Sequence, residues 1–348
     1  MNLLYQQTDF PIFQNRMYDT AEEAKECPKG DIELVEDLQT GLVFNTAFRA
    51  ELMEYDSHYQ NEQAVSPLFQ QHLNIVAGRI EQTLGRNHLV EVGCGKGYFL
   101  ELLLDNGFDI TGFDPTYEGS NSQIQRRYFA PEVIEPAQGL ILRHVLEHIK
   151  NPVAFLQQLK LANDGKGRIY IEVPCFDWIC EHKAWFDIFY EHVNYFRISD
   201  FRRIFGEVID SGRLFGGQYL YVVAELASLR KPQIDANDRV IFPDGFLDTL
   251  GGKILKQQRI AIWGGASKGV IFSLLMQKKG CPVSTVIDIN PAKQGHFLPA
   301  TGLRVQSPLE AMKDLPEGSA IYVMNSNYLD EVKAMSKNKY VYIGAEND

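Results

Sequence analysis

The chain has 348 residues, 45% hydrophobic and 23% charged, the balance of a globular protein long enough for two or three folding units. Its formal net charge of −11 argues against a nucleic-acid backbone or an anionic membrane as partner, although a local basic pocket can still hold a small anion. Cysteines 27, 94, 175, 180 and 281 are scattered without a CxxC pair, which predicts neither a zinc cluster nor a disulfide framework and suits a reducing cytoplasm.

The opening MNLLYQQTDFPIFQNRMYDT has no basic region followed by an apolar run, so no signal peptide is expected. No stretch of about 18 apolar residues predicts a spanning helix. DIELVEDLQTGLVFN alternates as one or two strands around Gln39-Thr40-Gly41. In SPLFQQHLNIVAGRIEQTLG, Ser66 is placed as an N-cap and Pro67 in the first turn. Leu68, Phe69, Leu73, Val76 and Ile80 recur at helical spacing, and Gly85 follows the end.

From His88 onward, apolar strands alternate with amphipathic helices: HLVEVGCG, YFLELLLDNG, DITGFDP, GLILRHVLEHI, PVAFLQQLKLANDG and GRIYIEVP. That alternation predicts a parallel sheet covered on both faces. LFGGQYLYVVAEL closes the unit as a last strand or hairpin, and the polar stretch 228–244 reads as a connection. A second strand–turn–helix series then follows: RIAIWGGASKGVIFSLLMQKKG, VSTVIDINP, GSAIYVMNSN and YVYIG. The expected fold is α/β, with two doubly wound, Rossmann-like units in tandem behind a small N-terminal lobe. The expected boundaries are 1–75, 76–228 and 229–348.

VEVGCGKGYF carries Glu91, Gly93, Cys94, Gly95 and Gly97 in the spacing acid-x-G-x-G-x-G. A dinucleotide fingerprint would need its last glycine at Tyr98. The loop instead resembles motif I of class I S-adenosylmethionine methyltransferases. That cofactor has no pyrophosphate to seat on a helix N-terminus, only a ribose, a sulfonium and an amino-acid tail for the turn to approach. Asp114 ends the next strand as an acceptor for ribose hydroxyls, and His144 falls at the edge of the sheet near the methionine part of the cofactor. Glu147 and His148 read as the first turn of a following helix.

The second loop, WGGASKG, also joins a strand to a helix. Read from Gly264, its middle position is Ala266, whose methyl hinders approach of a dinucleotide pyrophosphate. Gly265 and Lys268 are therefore expected to contact an anionic group, with no redox cofactor, because backbone N–H groups and a cation converge there. Asp288 is either a ribose acceptor or a helix cap. FYEHVNYF sets Glu191 and His192 among Phe189, Tyr190, Tyr195 and Phe196, and such ionisable groups are costly to bury without a partner or a task.

From about residue 40 to the end, the chain resembles the sugar C-methyltransferases that act on nucleotide-linked 4-keto deoxysugars. The stretches that carry this are TGLVFN, YDSHYQNEQAVSPLFQQHL, VEVGCGKGYFLELL, RHVLEHIKNP, IEVP, FYEHVNYF, GGQYL, WGGASKG and DINPAKQGHFLPATGLRV. The resemblance implies S-adenosylmethionine as cofactor and a nucleotide-linked sugar as substrate, bound between the last two units. It makes His192 the base that removes a proton next to the ketone, with Glu191 orienting it or touching a sugar hydroxyl. Tyr190, Tyr59 and Tyr195 are the candidates to hold the enolate oxygen or line the pocket. Two departures stand out. The family's four N-terminal zinc cysteines are reduced to Cys27, so no metal is expected, and Tyr190 stands where relatives often have a further histidine. The other readings are an O- or N-methyltransferase on a related sugar or small metabolite, and a non-catalytic nucleotide-binding protein. The protein is expected to be cytoplasmic and a monomer or weak dimer.

Overall fold

The structure is a computed structural model that describes residues 1–53, 66–131, 135–248 and 260–347. In chain order the first elements are β1 (Asn2–Pro11), α1 (Ala21–Lys25), β2 (Lys29–Glu36), β3 (Val43–Asn45) and α2 (Pro67–Leu84). Then come β4 (Leu89–Val92), α3 (Tyr98–Asp105), β5 (Ile110–Phe113), β6 (Ile124–Gln125), β7 (Gly139–Arg143), α4 (Pro152–Ala162) and β8 (Arg168–Pro174). They are followed by α5 (Phe176–Glu181), β9 (Asn194–Tyr195), α6 (Ile198–Ile204), β10 (Val208–Leu214) and β11 (Tyr219–Glu225). The last series is β12 (Ile260–Trp263), α7 (Lys268–Lys278), β13 (Val283–Ile287), β14 (Val305–Gln306), α8 (Pro308–Asp314), β15 (Ala320–Val323), α9 (Leu329–Met335) and β16 (Val341–Gly344).

Three sheets organise these elements. The central one runs β10-β11-β8-β7-β4-β5-β6, and only β11 is antiparallel to its neighbours on both sides. Strand order reverses between β4 and β7, which opens a crevice at their carboxyl ends. The sheet β14-β13-β12-β15-β16 is wholly parallel and reverses between β12 and β15. Both match the α/β expectation. The remaining sheet, β1-β2-β3-β9, is antiparallel, and it recruits β9 from the FYEHVNYF stretch.

Local signals explain most of these boundaries. The Ser66 side chain accepts from the Phe69 N–H, Pro67 opens α2, and Gly85 at φ 83° ends it. Phe69, Leu73, Val76 and Ile80 are buried, so the helical stripe faces the sheet as its spacing requires. β2 and β3 flank the turn that ends at Gly41, as the alternation predicts. β1 was not predicted: its register slips between Leu3 and Tyr5 and again between Gln7 and Phe10, which breaks the alternation. Among the described residues, no helix is long and apolar enough to cross a membrane.

The layers are packed against one another through side chains on both sides. Trp185 stacks on Phe272 of α7, with centroids 5.2 Å apart at 24°. The connection after β11 is strapped to the N-terminal sheet, where Arg239 and the Val240 N–H both bind the buried Glu36 carboxylate. In α7, Gly269 lies so close to the preceding loop that a Cβ would sit 1.9 Å from the Gly264 carbonyl oxygen. This is the third glycine of a strand–helix turn, needed for close packing. Gly269→Ala is therefore expected to destabilise the protein by about 1–3 kcal/mol or more, as backbone must shift to admit the methyl. Urea unfolding of the two proteins checks this, and equal midpoints would contradict it.

Candidate functional site

The crevice at the ends of β4 and β7 opens into a cavity of about 280 Å³. Glu91, Gly93, Cys94 and Gly95 of the first glycine loop line it together with His144, Glu147, His148, Glu191 and His192. Residues far apart in sequence thus meet where an open α/β sheet binds its ligands. Gly97 instead caps α3, and Asp114 sits behind the loop. The Asp114 carboxylate accepts from the Gly95 N–H at 2.8 Å and from the Thr116 N–H and hydroxyl at 2.8 and 2.7 Å. It braces the turn from behind.

Two features fit a bound ligand at this loop. Gly95 adopts φ 55°, and a Cβ there would meet no protein atom within 4 Å, so the backbone is bare toward open space. Glu91 is 3% exposed, and its Oε2 has no hydrogen-bond partner among the described residues. A ligand bearing hydroxyl or ammonium donors would satisfy that oxygen. Burial pushes the Glu91 carboxyl up to about 7, helped by nearby Asp114 and opposed by Arg143.

The histidine side of the cavity is built on one buried carboxylate. Glu172, fully buried in β8, accepts from Arg143 at 3.0 Å and from the Tyr170 hydroxyl at 2.7 Å, and it contacts His144 at 3.2 Å and His72 at 3.4 Å. Burial alone would raise its pKa, but Arg143 and the two histidines hold the carboxyl well below the usual carboxylate range. His144, at φ 51°, reaches Glu147 with its other nitrogen at 3.4 Å. Burial disfavours its charge, yet bonds to Glu147 and Glu172 prevail and raise it to about 9. Glu147 and His148 belong to a 3-10 turn, Leu146–His148, instead of the first turn of α4. The His148 Nδ1 lies 2.9 Å from the Glu191 carbonyl oxygen. A carbonyl only accepts, so Nδ1 carries the proton and donates it there. His192 faces His148 edge-on at 4.9 Å. Burial, with His148 and His144 nearby, lowers its pKa well below the ordinary histidine value, leaving it a neutral imidazole.

Two tyrosines from this stretch turn away. The Tyr190 hydroxyl accepts from the Arg49 N–H at 2.9 Å, and its ring packs on Phe48 and over Gly30. The Tyr195 hydroxyl is closed on Phe189, accepting from its N–H at 2.8 Å and donating to its carbonyl at 3.0 Å. Neither lines the cavity, so the pocket-lining position considered for them falls to other groups. Tyr59 lies outside the described residues.

A second cavity, of about 180 Å³, lies at the reversal between β12 and β15. Its loop repeats the first one's construction, since Asp288 accepts from the Gly265 and Asn290 N–H groups at 2.8 Å each. Asn15, Tyr219, Ser267 and Lys268 line both cavities. Lys268 holds Gln218 at 2.8 Å and Asp187 at 3.1 Å, and its ammonium lies 5.0 Å from the Trp178 ring centroid. The segment Gln14–Asn15 ties the two sides together. The Gln14 N–H donates to Glu191, its carbonyl accepts from Ser267, and the Asn15 side chain accepts from the Ser267 hydroxyl. Sequence reasoning did not single out Asn15, Arg143, Glu172 or Tyr219. An acid inside the apolar strand IYIEV was the available signal for Glu172.

Comparison with known proteins bears on the central sheet. Residues 58–208 match the family model of a methyltransferase domain. A curated relative, the tRNA U34 carboxymethyltransferase of Alteromonas mediterranea, is 34% identical over 122 residues. That match covers 29% of this chain and 36% of the relative, so the chain spans about a third of the length of the curated relative it matches. An S-adenosylmethionine-dependent methyltransferase from Archaeoglobus fulgidus aligns over 46% of this chain and 100% of its own, at 16% identity and a TM-score of 0.35. A Burkholderia thailandensis 1,6-didemethyltoxoflavin N1-methyltransferase aligns over 53% and 95%, at 13% identity and a TM-score of 0.34. The similarity to a methyltransferase domain thus covers residues 58–208, under half of the chain.

The raised pKa of Glu91 makes a signed prediction. Because its folded value of about 7 exceeds its unfolded value, its contribution to stability is full below the unfolded pKa and is lost as pH rises through 7. Glu91→Gln removes that loss. In the ligand-free protein the variant should gain stability relative to wild type between pH 5 and pH 8, by on the order of 3 kcal/mol at most. Its affinity for S-adenosylmethionine should fall. Urea melts at the two pH values check the first point, and a pH-independent difference would contradict it.

Proposed function

We propose that the protein is an S-adenosylmethionine-dependent C-methyltransferase that methylates the carbon next to the ketone of a nucleotide-linked 4-keto deoxysugar. The observation that carries this reading is that Asn15, Tyr219, Ser267 and Lys268 line both cavities, so the two adjoin. A substrate in two parts fits such a path, with an anionic nucleotide diphosphate at the Gly265–Lys268 turn and a small sugar at His192. The sequence resemblance supports the same substrate class.

The chain's own groups then have defined tasks. Glu91, the backbone of 93–97 and the brace at Asp114 receive the cofactor, with His144 at its methionine end. When bound, S-adenosylmethionine supplies an electrophilic methyl on a sulfonium. His192, kept neutral by its surroundings, accepts the proton from the carbon beside the ketone. The resulting enolate carbon takes the methyl, and holding the two reactants in line supplies much of the acceleration. Glu191, fixed by the Gln14 N–H at 3.2 Å, positions the sugar or the base. Lys268, at the head of α7, meets the diphosphate with charge and with helix N–H groups.

The reaction is tested with a panel of nucleotide-linked 4-ketosugars carrying deuterium next to the ketone. The expected product gains one methyl and loses one deuterium. A methylated product that keeps its deuterium would instead indicate an O- or N-methyltransferase. His192→Ala should lower turnover by about 10²–10⁴-fold with cofactor affinity intact, and near-normal turnover would remove His192 from the reaction. Lys268→Gln keeps a partner for Gln218 but removes the charge. It should weaken nucleotide-sugar binding by about 1.5–3 kcal/mol and leave S-adenosylmethionine affinity unchanged, as calorimetry with each ligand can check.

A further inference from the structure

We propose that Glu147, His148 and His192 form a binding site for one divalent transition-metal cation, with its open coordination positions facing the larger cavity. The inference goes beyond the proposed reaction, which calls for no metal. Each of the three residues offers a ligand atom, and these atoms all lie within 4.8 Å of one another. A tetrahedral ion with ligands at about 2.0–2.2 Å holds them about 3.4 Å apart, so the widest of these spacings closes by up to about 1.4 Å on binding.

Three further observations point to a cation. Glu147 is 1% exposed, and its Oε2 has no hydrogen-bond partner among the described residues, although its Oε1 lies by His144. A buried carboxylate oxygen left unpaired beside two imidazoles is a position that a cation would satisfy. The His148 Nδ1–H is spent on the Glu191 carbonyl at 2.9 Å, which fixes the tautomer and leaves the Nε2 lone pair available. Metal-binding histidines are oriented by this kind of bond on the opposite nitrogen. Finally, His144 clamps Glu147 from the far side while itself held by Glu172, so the carboxylate is positioned before any ion arrives.

Two imidazoles and one carboxylate suit zinc, cobalt or iron in the divalent state better than magnesium or calcium. All three residues line the cavity, so an ion held by them would keep open positions toward it. The cysteine count could not reveal such a site, because no cysteine contributes to it. The ion takes the same His192 lone pair that accepts a proton in the proposed reaction. A loaded site and a working base therefore exclude each other, and the cation arrests turnover.

The test is a titration of untagged, chelator-treated protein with Co²⁺, followed by visible absorption. The expected result is a ligand-field band that saturates at one cobalt per chain. Glu147→Gln and His148→Ala should each weaken binding at least tenfold, with folding checked by circular dichroism and by retained S-adenosylmethionine binding. Absence of the band in wild type would overturn the inference, as would an unchanged band in both folded variants. The wild-type titration decides the matter even where a variant does not fold. Failure here leaves the methyl-transfer reading untouched. Turnover should fall as the cobalt band saturates, and a bound cobalt that leaves turnover unchanged or raises it would overturn the arrest.

Discussion

The Glu172 carboxylate is the constraint on which the reaction cavity depends. A carboxylate buried in a strand flanked on both sides, as Glu172 is between β7 and β11, is tolerable only when its lone pairs are filled, and here Arg143, Tyr170, His144 and His72 fill them. That cluster fixes His144 at the sheet's edge, and His144 in turn fixes Glu147. Position is thus transmitted from the core of β8 to the cavity wall by charged hydrogen bonds, which resist displacement better than packing alone. Arg143 is also laid over the Phe99 ring at 4.3 Å, so the cluster reaches the helix that follows the first glycine loop.

The two doubly wound sheets share one device. In each, an acid at the end of the second strand accepts the N–H of the loop's glycine and of the residue two beyond itself: Asp114 with Gly95 and Thr116, Asp288 with Gly265 and Asn290. The device fixes each turn through hydrogen bonds within the chain itself. What differs is the surroundings. Lys268 lines both cavities, but the first turn faces a buried acid and a group of histidines, whereas the second faces Lys293, 3.6 Å from Asp288.

Much of this was legible in the sequence because it rests on local rules. The cap at Ser66, the alternation around Gly41 and both glycine loops follow from short-range chemistry and appear where expected. The bulged β1 did not show, since two register shifts destroy the period by which strands are recognised. The candidate site was legible residue by residue but not in arrangement. Glu91, Gly95, His144 and His192 meet in one cavity. Of the tyrosines equally prominent in FYEHVNYF, Tyr190 packs over Gly30 of the N-terminal sheet, and Tyr195, drawn into that sheet where β9 pairs with β3, closes its hydroxyl on Phe189. No spacing rule reveals that pairing. The same holds for Gln14–Asn15, an unremarkable dipeptide that joins Glu191 to Ser267 across the molecule.

The central claim is a division of labour: methyl donor at the first glycine loop, nucleotide diphosphate at the second, and the reacting carbon between them at His192. A crystal structure with S-adenosylhomocysteine and a nucleotide-linked sugar would test it most directly. The account predicts the homocysteine compound along residues 91–97 with its sulfur toward His192, and the diphosphate against Gly265–Lys268. A nucleotide found in the first loop, or a sugar placed away from His192, would contradict it.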